Sequence, residues 1–438
     1  MKKFRFGKII FLILAFILGS SLICVLGLPS PAQAEKLIIG VLVGLTGSTA
    51  DFGKQVQTMA KLIDEEIQEA GGIAIRGKKV EVDFKYYDTE STAEVSSLAT
   101  QRGISDGVQI FIAAPQSAAT FSASERSERA GVPMIDPYCT TDRLSERGFK
   151  YYFRIGAPNN VAVAHSMEYL LWQEKRTGVR MKNVAIFTVD NVTGRDKGNA
   201  YARWIPKMAP HWKVEKFIAY PPDTRDFTVY LNDLKSKGVE ALLGLAYPND
   251  SILITRQLRE INYNTNTIHG VHGGHYNPEY GEVLQWQAIG TTNTCWFAPF
   301  SKGIPGLMKL NEKYKKRYGV DIPQNAANVA VAISAAIDVA QRADSFNPEA
   351  MRNALVKTDL TRKGYKKGEW WWIETCGAKF DEKGQNTRMT TTTSMWTTPT
   401  RFEVVYPEEY AQVVAPWPRL TWALLEKKYA SKFPVGKK

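Results

Sequence analysis

Small hydroxylic residues and glycines follow four of the strands that the sequence predicts, each time directly before a predicted helix. Hydroxyl groups and the first backbone N–H groups of a helix can hold an anion such as a carboxylate, because those N–H groups have no partner within the helix. The same residue types are also ordinary helix caps. Two of the loops carry an adjacent tyrosine, which favours a binding role. The four loops are residues 44–53, 115–120, 136–141 and 247–250.

Histidine and cysteine provide the other groups that could do chemistry. Three of the five histidines, His269, His272 and His275, fall within seven residues, but no acidic or cysteine ligand lies near them in sequence. We therefore expect no metal site there. Cys139, Cys295 and Cys376 follow the N-terminal segment, and none belongs to a Cys-x-x-Cys pair. Their pairing stays open, and a redox or metal role for them is not predicted.

The sequence lacks the motifs of common enzyme and nucleotide sites. No Gly-x-Ser-x-Gly elbow, phosphate loop or Gly-x-Gly-x-x-Gly turn is present, so we expect neither catalysis nor a cofactor. Removal of residues 1–34 lowers the formal net charge from +12 to +8. The remaining cationic residues are scattered and are not interleaved with stacking aromatics, so no nucleic-acid partner is predicted.

Strand and helix patterns alternate along most of the chain, which predicts an α/β protein with parallel sheets. The alternation runs once to about residue 155 and then restarts, which indicates two similar doubly wound lobes. Later helices follow one another with little strand between them, so we expect them to pack back onto the lobes and to make the chain cross a hinge more than once. These helices are predicted over residues 304–318, 324–343, 348–357 and, at the end, 416–433.

The N-terminus is typical of a cleaved export signal. Lys2, Lys3, Arg5 and Lys8 precede an apolar run, and an Ala-x-Ala site ends at Ala34. An uncleaved membrane anchor is the alternative for such a run. Lipid attachment at Cys24 is not expected, because the bulky Ile23 precedes it.

The chain resembles the leucine/isoleucine/valine-binding proteins. The resemblance lies in four segments and their order, residues 41–53 (VLVGLTGSTADFG), 114–120 (APQSAAT), 131–144 (GVPMIDPYCTTDRL) and 152–155 (YFRI), with residues 380–384 (FDEKG) near the last crossing. It implies the type I fold, with two doubly wound parallel-sheet lobes and a three-crossing hinge. It also implies a periplasmic, monomeric solute-binding protein that serves an inner-membrane ABC permease.

The resemblance also implies a ligand-binding set. Ser117 matches a serine that binds the ligand carboxylate. Thr140 matches a threonine that helps to hold the carboxylate and the ammonium group of the ligand. Tyr138 matches a position that offers its backbone to the ligand. Phe52 matches an aromatic wall of the pocket, and Tyr247 the aromatic region of the second lobe that closes over the ligand.

Two positions depart from the family pattern. Thr193 stands where an aromatic residue is usual, and His272 stands where amino-acid binders often place a carboxylate for the ammonium group. A neutral histidine supplies no opposite charge. The expected ligand is therefore a small hydrophobic amino acid of the branched-chain type or a carboxylate without the α-amino group, such as an aromatic or branched acid. A ligand-sensing subunit of a signalling system is the remaining alternative.

The predicted domain organisation follows from these patterns. Trp370, Trp371 and Trp372 are read as packing residues of an insertion. The expected segments are 1–34 (signal peptide), 35–156 (first lobe), 157–292 (second lobe), 293–385 (hinge crossing and helices returning mainly to the first lobe) and 386–438 (return to the second lobe and terminal helix).

Overall fold

The computed structural model describes residues 36–244, 246–296, 305–360, 377–389 and 391–436. The predictions for the signal peptide, for Cys24, for Cys376 and for Trp370 to Trp372 lie outside these residues. The described residues from Leu37 onward form one compact unit. Within the described residues, no helix is long and apolar enough to span a membrane.

The first sheet is built from the N-terminal strands. Its order is β2-β3-β1-β4-β5-β6, and β1, β4, β5 and β6 pair in parallel. β1 is buried along most of its length because helices cover the sheet. The strands are β1 (Lys36–Val43), β2 (Ile73–Ile75), β3 (Lys78–Asp88), β4 (Ile110–Ile112), β5 (Met134–Asp136) and β6 (Tyr152–Arg154), and the helices between them are α1 (Ala50–Glu69), α2 (Ala93–Ser105) and α3 (Ser117–Ala130).

The second sheet repeats the same winding and adds an antiparallel edge. Its order is β15-β14-β11-β10-β9-β7-β8, with β7 to β11 parallel and with β14 and β15 antiparallel. The strands are β7 (Asn183–Val189), β8 (Lys213–Tyr220), β9 (Ala241–Gly244), β10 (Thr267–Val271), β11 (Thr292–Cys295), β14 (Thr392–Thr398) and β15 (Arg401–Tyr406). The helices are α4 (Asn159–Thr177), α5 (Val192–Met208), α6 (Thr228–Ser236), α7 (Pro248–Glu260) and α8 (Pro278–Leu284).

Three later helices return to the first sheet. They are α9 (Pro305–Tyr318), α10 (Gln324–Ala343) and α11 (Pro348–Val356), followed by the short strands β12 (Asp359–Leu360) and β13 (Ala378–Lys379). The alanine-rich α10 packs against α1, β4 and β5, and nearly all of it is buried. Two ion pairs join α9 to α1, Lys313 with Glu66 and Arg317 with Glu65.

Two chain crossings between the sheets lie side by side. The backbone N–H of Arg154 donates to the carbonyl of Gly384 (2.8 Å), and the N–H of Asn386 donates to the carbonyl of Arg154 (2.9 Å). The Arg154 side chain is 1% exposed and donates through Nε to Oε1 of Gln385 (2.6 Å). The third crossing begins at Trp296, whose ring lies against Gly156 in the first crossing. This side-by-side arrangement makes a narrow hinge.

The element order agrees with the predicted alternation, and α10 has the predicted bounds. The structure differs at the end of the chain. The threonine-rich residues 392–406 form the hairpin of β14 and β15, which was not predicted. The last helix, α12 (Trp422–Tyr429), is shorter than the predicted 416–433 because Pro416 and Pro418 precede it and Thr421 caps it. The predicted lobe boundaries stay a prediction.

Candidate functional site

Each sheet has one point where the winding direction changes, and ligands of open α/β sheets bind beside such points. In the first sheet this point lies between β1 and β4, and in the second sheet between β7 and β9. The described residues of the loops that leave these strands are 44–49, 113–116, 190–191 and 246–247. Three of the four loops predicted from the sequence leave β1, β4 and β9, and the fourth leaves β5.

The wall on the first lobe centres on the start of α3. Ser117 is the first residue of this helix and is 5% exposed. Its hydroxyl and that of Thr120 contact the thiol of Cys139, which also donates to the carbonyl of Ala114 (3.4 Å). Burial raises the pKa of the Cys139 thiol well above its usual value, so the thiol stays neutral. The start of α3 therefore lies beside a neutral thiol in the loop after β5.

Tyr138 and Thr140 lie in the loop after β5. The carboxylate of Asp136 accepts from the N–H groups of Tyr138 and Cys139 (both 2.9 Å), which fixes this loop. Thr140 is 5% exposed. The hydroxyl of Tyr138 is buried without a hydrogen-bond partner in the described part of the chain. Phe52 is half-buried in the first turn of α1, and its place in a pocket stays a prediction.

The wall on the second lobe centres on the start of α5. Asn191 caps this helix by accepting from the N–H of Gly194 (2.8 Å), and its amide donates to the hydroxyl of Tyr247 (3.1 Å). Thr193 lies half-buried in the same first turn. One bond thus ties the loops after β7 and β9 together and orients the Tyr247 ring.

The two walls meet in this structure. The N–H of Asn159, at the start of α4, donates to the carbonyl of Thr140 (2.6 Å), while its side-chain amide donates to the carbonyl of Thr193 (3.4 Å). Thr141 also donates its hydroxyl to the carboxylate of Asp196 on α5. Thr140 and Thr193, two of the predicted site residues, are therefore joined through one asparagine.

His272 lies directly after β10 with a positive φ of 55°. Its ring is 4.4 Å from the Trp296 ring between centroids, and both of its ring nitrogens are buried without a partner among the described residues. Burial, together with the nearby Lys197 ammonium, holds the pKa of His272 well below 6.5, so the ring is neutral. Trp296 lies in turn within contact of Gly156, beside the carbonyl of Pro137. The His272 ring thus lies near the loop that contains Tyr138.

The three clustered histidines do not converge. The ring of His269 makes hydrogen bonds with Ser166 (2.8 Å) and Thr292 (2.9 Å), whereas His272 packs on Trp296. Burial lowers the pKa of His275 to about 4. Among the residues that the structure describes, no group of three or more His, Cys, Asp and Glu side chains is arranged to hold a metal ion.

The structure also places residues at the site that the sequence reasoning did not select. These are Asn159, Asn191, Lys197 and Trp296. Asn191 had a usable signal, since it is a capping residue directly after a predicted strand. The other three depend on contacts between distant parts of the chain. Ser117, Tyr138, Thr140, Thr193, Tyr247 and His272 all lie at the strand ends where the two lobes meet.

Comparison with known proteins identifies the family. A model of the periplasmic binding protein family matches residues 36–383. Leu/Ile/Val-binding protein homolog 8 of Brucella abortus is 24% identical over 401 residues, covering 87% of this chain and 93% of that protein.

Solved structures share the fold. A leucine-binding protein of Thermotoga maritima superposes with a TM-score of 0.70 at 22% identity, covering 85% of this chain and 99% of that one. A branched-chain amino acid transporter substrate-binding protein of Streptococcus pneumoniae, in complex with isoleucine, gives a TM-score of 0.68 at 21% identity and covers 85% and 100% of the two chains. The predicted α/β fold and resemblance are confirmed: the chain belongs to the periplasmic binding protein family and has the type I fold of its branched-chain amino acid-binding members.

Proposed function

We propose that this protein is the extracytoplasmic solute-binding component of an ABC importer. It captures a small hydrophobic amino acid of the branched-chain type, or a related carboxylate, and delivers it without chemical change to an inner-membrane permease. The observation that carries the proposal is the contact between α3 and α5, two helices that begin beside the winding reversals of two sheets joined by a narrow hinge.

The family supports the ligand class. The relatives of similar sequence carry the name Leu/Ile/Val-binding protein homolog, and one solved structure of the same fold is a complex with isoleucine. In this chain Ser117 and the first N–H groups of α3 would take the ligand carboxylate with help from Thr140, and Tyr138 would present its backbone carbonyl to the ligand. Phe52 and Tyr247 would cover the apolar part, and Thr193 and His272 would complete the second wall.

Closure of the hinge provides the mechanism. Each lobe supplies half of the contacts, so the ligand binds the closed form better than the open form and shifts the population toward it. Arg154, Gln385 and Gly156 lie where the chain crosses between the lobes, so the change in backbone angles would be concentrated there. The closed form is the one that would dock on the permease, after export of the mature chain to the periplasm.

A ligand panel tests the proposal. The purified mature protein is screened by thermal shift against branched-chain amino acids, aromatic acids and short branched acids. A ligand at 100 times its Kd should add about 2.7 kcal/mol to the free energy of unfolding. Small-angle scattering should then show a smaller radius of gyration with the ligand bound. Bound ligand with an unchanged radius would contradict the clamp.

A matched pair of variants locates the carboxylate grip. Ser117→Ala should weaken binding at least tenfold, because it removes a hydroxyl at the helix start that would hold a charge. Ser105→Ala removes an exposed hydroxyl at the end of α2 and should leave binding unchanged. Equal affinities of the two variants would refute the assigned role of Ser117.

A further inference from the structure

A buried cation lies behind the second wall of the site. Lys197 is on α5, one turn after Thr193, and is 0% exposed. Its ammonium donates to the carbonyl of Val271 (2.6 Å), the residue before His272. An ammonium has three donors, and within the described residues this is the hydrogen bond that Lys197 makes. It forms no ion pair with any described carboxylate.

The geometry directs this ammonium toward the site. Residues i and i+4 lie on one face of a helix, and helical side chains lean toward the helix N-terminus. Lys197 therefore leans toward Thr193, whose carbonyl lies at the contact between the lobes. On its other side is His272, whose two ring nitrogens are buried and have no hydrogen-bond partner in the described part of the chain.

The charged groups around Lys197 are engaged elsewhere. Asp190, at the end of β7, is paired with Arg195 on α5 (2.8 Å). Asp196 accepts from Thr141, and Asp250 at the start of α7 accepts from the hydroxyl of Tyr220 (3.2 Å). His272 is neutral. Among the described residues around Lys197, the second lobe thus brings a cation and a neutral ring to the site, and each of these three carboxylates is already engaged.

We propose that Lys197 and His272 form a subsite for an acceptor oxygen of the ligand, so that the ligand is an organic acid carrying an oxo or second carboxylate group in place of an ammonium. A ligand ammonium would be repelled by Lys197 and would find no opposite charge on this wall. An acceptor oxygen would instead take the free donors of Lys197 and, depending on its tautomer, one of His272. The inference rests on the proposed function and narrows its ligand class.

The uptake of a proton on ligand binding is the most specific measurement for this subsite. Burial lowers the pKa of Lys197 from 10.5 to about 7, and an anion bound beside it would raise that pKa again. The acid should therefore bind with uptake of a proton. Its affinity should fall about fivefold from pH 7 to pH 8, because the protonated fraction of the free protein falls by that factor. A ligand with an ammonium would show the opposite trend.

Four other groups at the site titrate mainly outside this window. The pKa of His272 lies well below 6.5, and that of the Cys139 thiol lies well above 9.0. Burial raises the pKa of Asp250 to about 6 and that of Tyr247 above its usual value of 10. Measurements at pH 7 and pH 8 therefore report mainly on Lys197.

The experiment is isothermal titration of the mature protein at pH 7 and pH 8 with three probes of one size: leucine, its 2-oxo acid analogue, and isocaproate, which has neither group. The 2-oxo acid should bind at least tenfold more tightly than either of the others, with proton uptake. Lys197→Met should remove this preference and the pH dependence, while Lys207→Met, at the exposed end of α5, should keep both. A melting curve of each variant shows that it is folded.

The outcomes separate the two proposals. Tighter binding of leucine, affinity that rises with pH, or equal binding of isocaproate and the 2-oxo acid would each overturn the subsite and leave the solute-binding function intact. If no amino acid and no other carboxylic acid of the wider panel binds, both the subsite and the solute-binding function are overturned.

Discussion

Lys197 should lower the stability of the ligand-free protein, and its replacement by methionine should raise it. Methionine keeps most of the length and apolar area of the side chain but removes the buried charge. A pKa lowered from 10.5 to about 7 corresponds to about 5 kcal/mol in the free energy of unfolding below pH 7. The variant also leaves the carbonyl of Val271 without its donor, which costs about 1–2 kcal/mol. The expected net gain is about 3 kcal/mol at pH 6.

The sign of the pH dependence follows from proton binding. Below pH 7 Lys197 is protonated in both the folded and the unfolded chain, so the full destabilisation is present. Between pH 7 and pH 10.5 the unfolded chain binds this proton and the folded chain does not, so the stability of the parent protein rises with pH. By pH 9 the advantage of the Lys197→Met variant should shrink to about 1 kcal/mol or less.

Urea unfolding of the ligand-free protein at pH 6 and pH 9 measures the gain in the free energy of unfolding at each pH. Lys207→Met is the control for loss of a surface charge. A variant that is less stable than the parent at pH 6 would refute the reasoning. So would a gain that is the same at both pH values, because such a gain could not come from the titration of Lys197.

Three further changes test other parts of the structure. Arg154→Met should lower the free energy of unfolding by about 3 kcal/mol in urea melts, since each guanidinium nitrogen donates a hydrogen bond at the hinge. The exposed Arg129→Met is the control, and equal losses would contradict the assignment. Tyr138→Phe should raise the stability of the ligand-free protein by about 1 kcal/mol, because its buried hydroxyl lacks a partner among the described residues, and a clear loss would contradict this. Asp250→Asn should raise the free energy of unfolding by about 2 kcal/mol at pH 7 and by little at pH 4. Burial raises the pKa of the carboxyl to about 6, so the folded parent protein loses stability as the pH rises from 4 through 6. A gain independent of pH would refute this explanation.

Local patterns were enough to predict the alternating strands and helices. The buried run of β1 and the alanine-rich α10 carry strong periodic signals, and α10 lies where it was expected. The hairpin of β14 and β15 was missed because its threonine-rich residues carry little hydrophobic alternation. It becomes a pair of strands by adding to β11, about a hundred residues earlier in the chain.

The position of the site could be predicted from the sequence, but the buried charge of Lys197 could not. Loops after strands could be located from the order of the elements, since parallel strands end at one edge of a sheet. Lys197 was not predicted as a site residue, because a lysine within a polar helix is usually exposed. Its burial depends on the packing of α5 against β7, where Gly194 lies so close that a Cβ would fall 2.0 Å from the carbonyl of Val189. Only the assembled sheet determines that proximity.

The return of α9 and α10 to the first sheet has a consequence for the order of folding. The helix that covers β4, β5 and α1 is α10, which begins about 210 residues after β4, so the apolar face beneath it stays uncovered until β7 to β11 of the second sheet have been synthesised. Contacts over such sequence separations close slowly, and an uncovered apolar face is prone to association with other chains. A fragment that ends before Pro305 should therefore aggregate, although it contains every strand of the first sheet. The two sheets are separate, but the first is covered only after most of the second has been made.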